Sequence, residues 1–178
     1  MEPSPTQLST DRVFLDFSAR KLEQLTGRIR ECVTRLNYEQ IWVRSSDNEN
    51  AVGNLMLHLA GNVRQWIIAS VGGKPDVRVR DREFSARGDI TAAELIDRLE
   101  GTVAEAVAVI RGMPSARLSE KVTVQKYTVP VLEAIYHVVE HFSQHTGQIM
   151  FATKLLTSSD LGFYKNLSPQ AAHAEKTP

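Results

Sequence analysis

The chain has 178 residues, of which 42% are hydrophobic and 24% charged, a composition that excludes a disordered or collagen-like chain. Its length predicts a single domain over residues 1–178, because domains usually contain about 100 to 200 residues. The 21 Lys and Arg residues balance 21 Asp and Glu residues, so no net field attracts nucleic acid, and we expect no nucleic-acid partner.

The N-terminal segment MEPSPTQLSTDRVFLDFSAR lacks the basic start, the apolar run and the cleavage site of a secretion signal. Residues 1–10, which contain Pro and Ser, are expected to be flexible. Farther along, charged or polar residues interrupt each apolar stretch before the roughly 18 to 20 residues that a membrane span needs. We therefore expect a cytoplasmic protein that has no membrane partner.

The first two helices are predicted from apolar residues that recur every three or four positions. Helix one covers about 13–36 and helix two about 50–70. The single cysteine, Cys32, excludes an internal disulfide and a thiol-rich metal site. Its place in the apolar pattern of helix one indicates a small buried residue rather than a nucleophile. Trp66 continues the stripe of helix two and is predicted to be a core residue rather than a stacking platform.

Residues 74–89 are rich in charge and have no sustained period, so they are predicted to form a connection over the surface. Helix three then begins at a capping box, in which Thr91 and Glu94 satisfy free backbone amides, and ends near Gly112.

The segment 121–129 alternates apolar and polar residues and predicts a short hairpin or extended arm between helices three and four. Helix four follows over about 131–156. Residues 161–164 are apolar enough to dock on the helices, whereas 168–178 are expected to be flexible. The predicted fold is therefore all-α, a four-helix bundle that is up-and-down or has one long crossover.

Histidines lie on the inward faces of two predicted helices. His141 and His145 are one turn apart on one face of helix four, and His137 lies one turn before them. His58 shares with Leu59 the face of helix two that points into the bundle. Burying polar groups without partners costs on the order of 1 to 3 kcal/mol each, and a shared metal ion would partner several imidazoles at once. We predict a metal site of His58, His141 and His145.

Other interpretations of these residues stay open. Histidines at this spacing are often satisfied by a carbonyl or carboxylate, and His137 could replace a ligand or orient one. Asn62 could bond a ligand imidazole or the backbone, and Gln148 could orient His145 or a bound water, or bond to another helix. The alternating arginines of 78–82 could attract an anionic substrate, although such charge in a loop is usually solvated.

Three segments carry a resemblance to a known family. The segment HVVEHFSQHTGQI at 137–149 resembles the helix-four signature of the DinB/YfiT-like metalloprotein superfamily. The segments GNLMLHLAGNVRQW at 53–66 and TKLLTSSDLGFY at 153–164 are similar to one branch of that superfamily. The resemblance implies a four-helix bundle of up-down-down-up character and a homodimer. It also implies that a metal binds to one histidine of helix two and to the pair of helix four, here His58, His141 and His145.

Relatives of this kind include enzymes that use low-molecular-weight thiols such as mycothiol or bacillithiol. We therefore expect a metal-dependent enzyme acting on a small molecule, either a thiol transferase or a hydrolase. Zinc is the expected ion, and imidazole ligands also suit nickel, iron or manganese. The alternative is a non-catalytic, metal-stabilised dimeric scaffold or a sensor of a ligand or stress. An open site in a pocket would favour catalysis, and a closed site with a fourth protein ligand such as His137 would favour the scaffold.

Overall fold

The computed structural model describes residues 8–165, which are mostly helical. The elements in chain order are α1 (Thr10–Val33), α2 (Tyr38–Trp42), α3 (Val52–Val63), which continues as a π-helical stretch (Arg64–Val71), α4 (Arg80–Ser85), α5 (Ala92–Gly112), a 3₁₀ turn (Ser115–Ser119), β1 (Lys121–Val124), β2 (Tyr127–Pro130) and α6 (Val131–Thr157).

The four long helical segments contact one another in a closed ring. Helix α1 packs against α5 and α6, and α3 with its π-helical continuation packs against the same two helices from the other side. Their apolar faces meet in one core, whose largest fully buried side chains include Phe142, Leu22, Met56, Leu99 and Ile110. This arrangement places α3 directly beside α6, the two helices that carry the histidines of interest.

The predicted hairpin between the third and fourth long helices is confirmed. Strands β1 and β2 pair antiparallel, with Val122 opposite Val129. Gln125 turns the chain with a φ of 56°, in the left-handed region. The hairpin leads directly into α6, whose first amide, on Val131, donates to the carbonyl of Glu120 at 2.8 Å.

The ends of the predicted elements agree with the structure to within a few residues. Helix α5 begins with the predicted capping box, in which the Thr91 hydroxyl accepts from the Glu94 amide and the Glu94 side chain accepts from the Thr91 amide. Leu161 docks on the core with 4% of its surface exposed. Ser9 caps α1, so the end of the segment expected to be flexible, 1–10, belongs to the helix start. Residues 1–7 and 168–178, also expected to be flexible, lie outside the described residues.

Two short helices, α2 and α4, were not predicted. They contain five and six residues, too few for a helical period to be visible in the sequence. The prediction that 74–89 forms a connection over the surface is wrong in part, because α4 lies in this segment and buries Glu83 to 6% exposure against α3.

Within residues 8–165, none of the helices combines the length and the apolar character that a membrane crossing needs.

Candidate metal centre

Three imidazole rings from two neighbouring helices meet at one point. His58 lies in α3, and His141 and His145 lie one turn apart in α6. The Nε2 atom of His141 is 3.1 Å from Nε2 of His58 and 3.1 Å from Nε2 of His145. One ring nitrogen of each residue lies within 4.8 Å of the others, so the three residues predicted as ligands are brought together and could hold a metal ion.

A buried ion pair lies behind His58. Oε2 of Glu83 is 3.0 Å from Nδ1 of His58, and Arg78 donates to both carboxylate oxygens, from Nε at 2.7 Å and from Nη2 at 2.8 Å. The side chains of Arg78 and Glu83 are only 3% and 8% exposed. Burial by itself would raise the pKa of Glu83, but the hydrogen bonds from Arg78 and His58 outweigh it and hold that pKa below its usual value. Glu83 is therefore a carboxylate.

These partners fix the tautomer of the neutral His58 ring. A carboxylate only accepts hydrogen bonds, so Nδ1 of His58 donates to Glu83, and in the neutral ring Nε2 carries the lone pair. Nη2 of Arg78 also lies 3.1 Å from this Nδ1, but two donors cannot bond to each other, and Nη2 is already bonded to Glu83.

Gln148 accepts a hydrogen bond from Nδ1 of His145, as Glu83 does from Nδ1 of His58. The Oε1 atom of Gln148 accepts from Nδ1 of His145 at 2.6 Å, one turn along the same helix. The Nε2 atom of His145 therefore also carries a lone pair toward the centre. Of the predicted alternatives for Gln148, the structure shows the hydrogen bond that orients His145.

The environment keeps the histidines of α6 neutral. Burial, followed by the charges that His145, His58 and other neighbours would carry, lowers the pKa of His141 to about 3. Burial also lowers the pKa of His145, against the opposing effect of its hydrogen bond to Gln148. Neutral imidazole is the form that binds metal ions.

Local packing holds the Glu83 carboxylate in place. Asn54, fully buried in α3, donates from Nδ2 to the carbonyl of Glu83 at 2.8 Å, and Arg44 donates to the carbonyl of Phe84 at 3.0 Å. Gly61 of α3 lies directly under the carboxylate, since a Cβ atom at this position would stand 1.9 Å from Oε1 of Glu83. Only glycine therefore permits this close approach without a shift of the carboxylate.

The remaining residues singled out in the sequence lie beside the triad. The ring of His137 is outside the converging set and packs against Trp66 with its plane tilted by 45°, the ring centroids being 4.3 Å apart. Trp66 is a core residue as predicted, at 5% exposure, and also makes this ring contact. Asn62 is buried and its Oδ1 has no hydrogen-bond partner. Cys32 is fully buried, and burial raises the pKa of its thiol, in agreement with a structural residue.

The sequence did not point to Glu83, and for Arg78 it favoured a solvated side chain. That interpretation of Arg78 is wrong, because the residue is buried in the ion pair. A signal existed at Gly61, a glycine inside a helix one turn after His58, because a glycine in a helix interior often has a packing reason. The identity of that group could not be read from the sequence, because 21 acidic residues were candidates.

A cavity of about 380 Å³ opens beside the triad, within the usual size range of small-molecule sites. His58 and His141 line it, and so do residues of the β1–β2 hairpin. Its further lining residues are Asn62, Trp66, Arg78, Arg80, Gln125, Tyr127, Val129, Glu133 and His137.

Comparisons with known proteins give a family and a similar fold. The model of a family described as "Protein of unknown function (DUF1572)" matches residues 9–168. Among solved structures, the fold is similar to a conserved protein from Enterococcus faecalis, with a TM-score of 0.67 and 16% sequence identity over 81% of this chain and 97% of that chain. At this identity the likeness concerns the fold alone. No curated protein matches the chain.

Chelator-treated protein should lose stability as the pH falls below 7. The pKa of His141 is about 3 in the folded protein against an ordinary value of 6.5, so the unfolded chain binds more protons between these values. The stability linked to neutral His141 is complete above pH 6.5 and is lost progressively toward pH 3. The pKa of Glu83 is also lowered in the folded protein, so the stability decreases further as the pH falls below 4.5, the ordinary pKa of a glutamate.

Urea unfolding at pH 7 and pH 5 measures this loss, which we expect to be on the order of 1–2 kcal/mol. The variant His141→Gln, which cannot titrate, should show a smaller difference. Equal pH dependence in the two proteins would contradict the account.

Proposed function

The chain belongs to the DUF1572 family of proteins of unknown function, and we propose that it binds a divalent metal ion through His58, His141 and His145 and acts as a metal-dependent enzyme on a small molecule. The observation that carries the proposal is the convergence of three Nε2 atoms, two pairs of which are 3.1 Å apart.

Hydrogen bonding alone does not account for this convergence. An imidazole nitrogen has one position in the ring plane, which holds either a proton or a lone pair. Nε2 of His141 can therefore make one good hydrogen bond, yet it faces two other Nε2 atoms at the same short distance. Since Glu83 and Gln148 place lone pairs on both of those atoms, a cation that accepts three lone pairs fits the arrangement best.

The distances also suit a metal. Two nitrogens bound to one zinc ion at about 2.0–2.1 Å with a tetrahedral angle lie about 3.3 Å apart. The 3.1 Å separations are close to this value before any ion draws the rings together. We propose zinc as the ion; nickel, iron and manganese also suit imidazole ligands, because affinity alone does not select among them.

The resemblance of 53–66, 137–149 and 153–164 to the DinB/YfiT-like superfamily supports the same ligand set, and we propose that the chain is a member with that superfamily's four-helix-bundle fold. The closed ring of contacts among the long helical segments supports this assignment.

The surroundings of the triad favour catalysis over a closed structural site. Among the described residues, the cluster suited to a metal contains three ligands, so coordination positions stay open, and the 380 Å³ cavity adjoins it. A divalent ion bound there would lower the pKa of a coordinated water or thiol and polarise the substrate. On the strength of the resemblance we propose a thiol transferase; a hydrolase is the second enzymatic candidate. The alternative, a non-catalytic scaffold or sensor, requires the remaining coordination positions to be closed.

The protein's own residues supply preorganisation. Glu83 and Gln148 hold the Nδ1 protons of His58 and His145, so both rings present Nε2 in a fixed orientation. Arg78 keeps Glu83 ionised although it is buried. A ligand ring in this state loses little freedom when it binds an ion.

Replacing any one of the three histidines should abolish metal retention. His58→Ala, His141→Ala and His145→Ala each remove one of three ligands, so we expect protein purified without added metal to lose the roughly one equivalent that the wild type carries. Elemental analysis by mass spectrometry measures the content. His137→Ala is the matched control and should keep the ion. Full retention in the three variants would refute the site.

The residues behind His58 should tune the affinity. Glu83→Gln removes the charge that orients His58, and we expect the zinc dissociation constant to rise about 10- to 100-fold. Gly61→Ala should also weaken zinc binding, because the added Cβ displaces the carboxylate of Glu83 without changing any charge. Zinc competition against a chromophoric chelator measures both.

Two controls accompany these variants. Glu105→Gln removes an acid that pairs with Arg64 and Lys74 outside the site, and Gly101→Ala adds a methyl group that meets nothing within 4 Å. Both should leave the affinity unchanged. If Glu83→Gln behaves like Glu105→Gln, the orienting role of Glu83 is wrong.

We also propose that the chain forms a homodimer through the outer face of α6. Phe151 and Leu155, one turn apart, are 65% and 66% exposed there, and adjacent exposed apolar side chains often mark an interface. In light scattering coupled to gel filtration, Phe151→Ser combined with Leu155→Ser should convert a dimer to a monomer. Val77→Ser, at another exposed apolar site, should not. A monomeric wild type would exclude the dimer.

A further inference from the structure

A second cavity, of about 560 Å³, is lined by residues of α3, α4 and α5 and by none of the three histidines of the triad. The residues that α3 and its π-helical continuation contribute recur at steps of three and four and so share one face, namely Leu57, Ala60, Gly61 and Arg64. His58 and Asn62, which line the 380 Å³ cavity, belong to another face of α3. Arg78 is the only residue that lines both cavities, so the second cavity is distinct from the candidate metal centre.

The charged side chains of this second cavity are mostly of one sign. Its lining contains four arginines and one carboxylate, namely Arg64, Arg78, Arg82, Arg98 and Glu83, and we call it the arginine cavity. The chain as a whole is neutral, so this is a local excess of positive charge. A cleft lined by charges of one sign concentrates their field and attracts ligands of the opposite sign. The arginine cavity is therefore suited to an anion.

Two of the four arginines already have acidic partners. Arg78 donates from Nε and Nη2 to Glu83 and from Nη1 to Gln65, at 2.7, 2.8 and 2.9 Å. Arg64 lies 3.3 Å from the carboxylate of Glu105, which also pairs with Lys74 and so compensates only one of these two cations. Arg78 is thus engaged inside the protein, whereas the charge of Arg64 is compensated only in part.

The other two guanidinium groups, of Arg82 in α4 and Arg98 in α5, are available to a ligand. Both residues are exposed, and within residues 8–165 neither side chain has a hydrogen-bond or ion-pair partner. A guanidinium group can donate two parallel hydrogen bonds to a phosphate or a carboxylate. A phosphate monoester carries a charge of about −1.5 to −2 at pH 7, which matches two uncompensated arginines better than the single charge of a carboxylate.

The remaining lining is mainly apolar and indicates that the anion carries an apolar body. Val77 and Val79 line the cavity although 67% and 53% of their surface is exposed, and Leu57 and Ala60 lie buried beside them in the lining. A ligand that covers these valines removes apolar surface from water, which favours binding. The volume of about 560 Å³ is in the usual range of sites for small molecules.

We propose that the arginine cavity binds a phosphate monoester of a small apolar molecule, and that Arg82 and Arg98 contact the phosphate. The proposal goes beyond the metal-dependent function and does not depend on it, because the cavity contains none of the triad histidines. It gives the protein a second ligand site, next to the ion pair of Arg78 and Glu83.

The test measures the binding of phenyl phosphate to the full chain, freed of metal, by isothermal titration calorimetry. Removing the metal ensures that no ion at the triad can coordinate the phosphate. We expect one equivalent of phenyl phosphate to bind, and to bind more tightly than three related probes. Benzoate has only a single charge, inorganic phosphate has no apolar body, and phenol, which has no charge at neutral pH, should bind most weakly.

Variants of the two exposed arginines identify the site. Arg82→Gln and Arg98→Gln should each raise the dissociation constant of phenyl phosphate about tenfold, the effect of losing hydrogen bonds to a charged group. Arg82→Lys keeps the charge but not the paired donors, so its dissociation constant should lie between those of the wild type and Arg82→Gln. The matched control is Arg20→Gln, which removes the same charge from an exposed position of α1 outside the cavity and should leave the dissociation constant unchanged. Circular dichroism checks that each variant is folded.

The outcomes separate this site from the metal centre. Equal dissociation constants in the wild type, Arg82→Gln and Arg98→Gln would overturn the proposal, and so would an equally large loss of affinity in Arg20→Gln, which would indicate unspecific attraction by charge. Benzoate that binds as tightly as phenyl phosphate would overturn the preference for phosphate. Phenyl phosphate that binds only to zinc-loaded protein would refute the arginine cavity and leave the metal site standing. Binding by metal-free protein that also fails to take up zinc would refute the metal site and support the arginine cavity.

Discussion

A nitrogen of an imidazole ring has room for one partner in its plane, and the organisation of this protein depends on that limit. Nε2 of His141 has two imidazole nitrogens at 3.1 Å, one from α3 and one from its own helix. Two of the three rings have their protons fixed on the far side by Glu83 and Gln148. Lone pairs brought together in a buried place repel one another unless a cation lies between them. The arrangement therefore supports the proposed ligand set over a hydrogen-bonded cluster.

The fold supports this arrangement at several levels. The apolar faces of the long helices pack α3 against α6, which brings His58 to the pair in α6. The segment after α3 folds back as α4 and inserts Glu83 behind His58, with Arg78 compensating its charge. A buried ion pair of this kind is costly to desolvate and contributes little net stability, so its value lies in fixing the orientation of His58. A cavity of about 380 Å³ adjoins the rings of His58 and His141.

Much of this organisation could be predicted from the sequence, because it follows from periodicity. The four long helices, the capping box at Thr91, the hairpin and the facing of His58, His141 and His145 all depend on spacings of three, four or two residues. The short helix α4 and its ion pair could not, since six residues show no period and the partner of His58 lies 25 positions away. The π-helical stretch at Arg64–Val71 was also missed, because the same apolar residues suit an α-helix. It places Trp66 on the cavity, in keeping with the frequent occurrence of π-turns at functional sites.

Anomalous X-ray diffraction from crystals grown with zinc, recorded at the absorption edge of the metal, tests the central claim most directly. The account predicts one strong peak about 2.0–2.1 Å from Nε2 of each of His58, His141 and His145, with the side of the ion that faces the cavity open to solvent or substrate. No peak between these three nitrogens, or a peak bound to His137 in place of one of them, would contradict it.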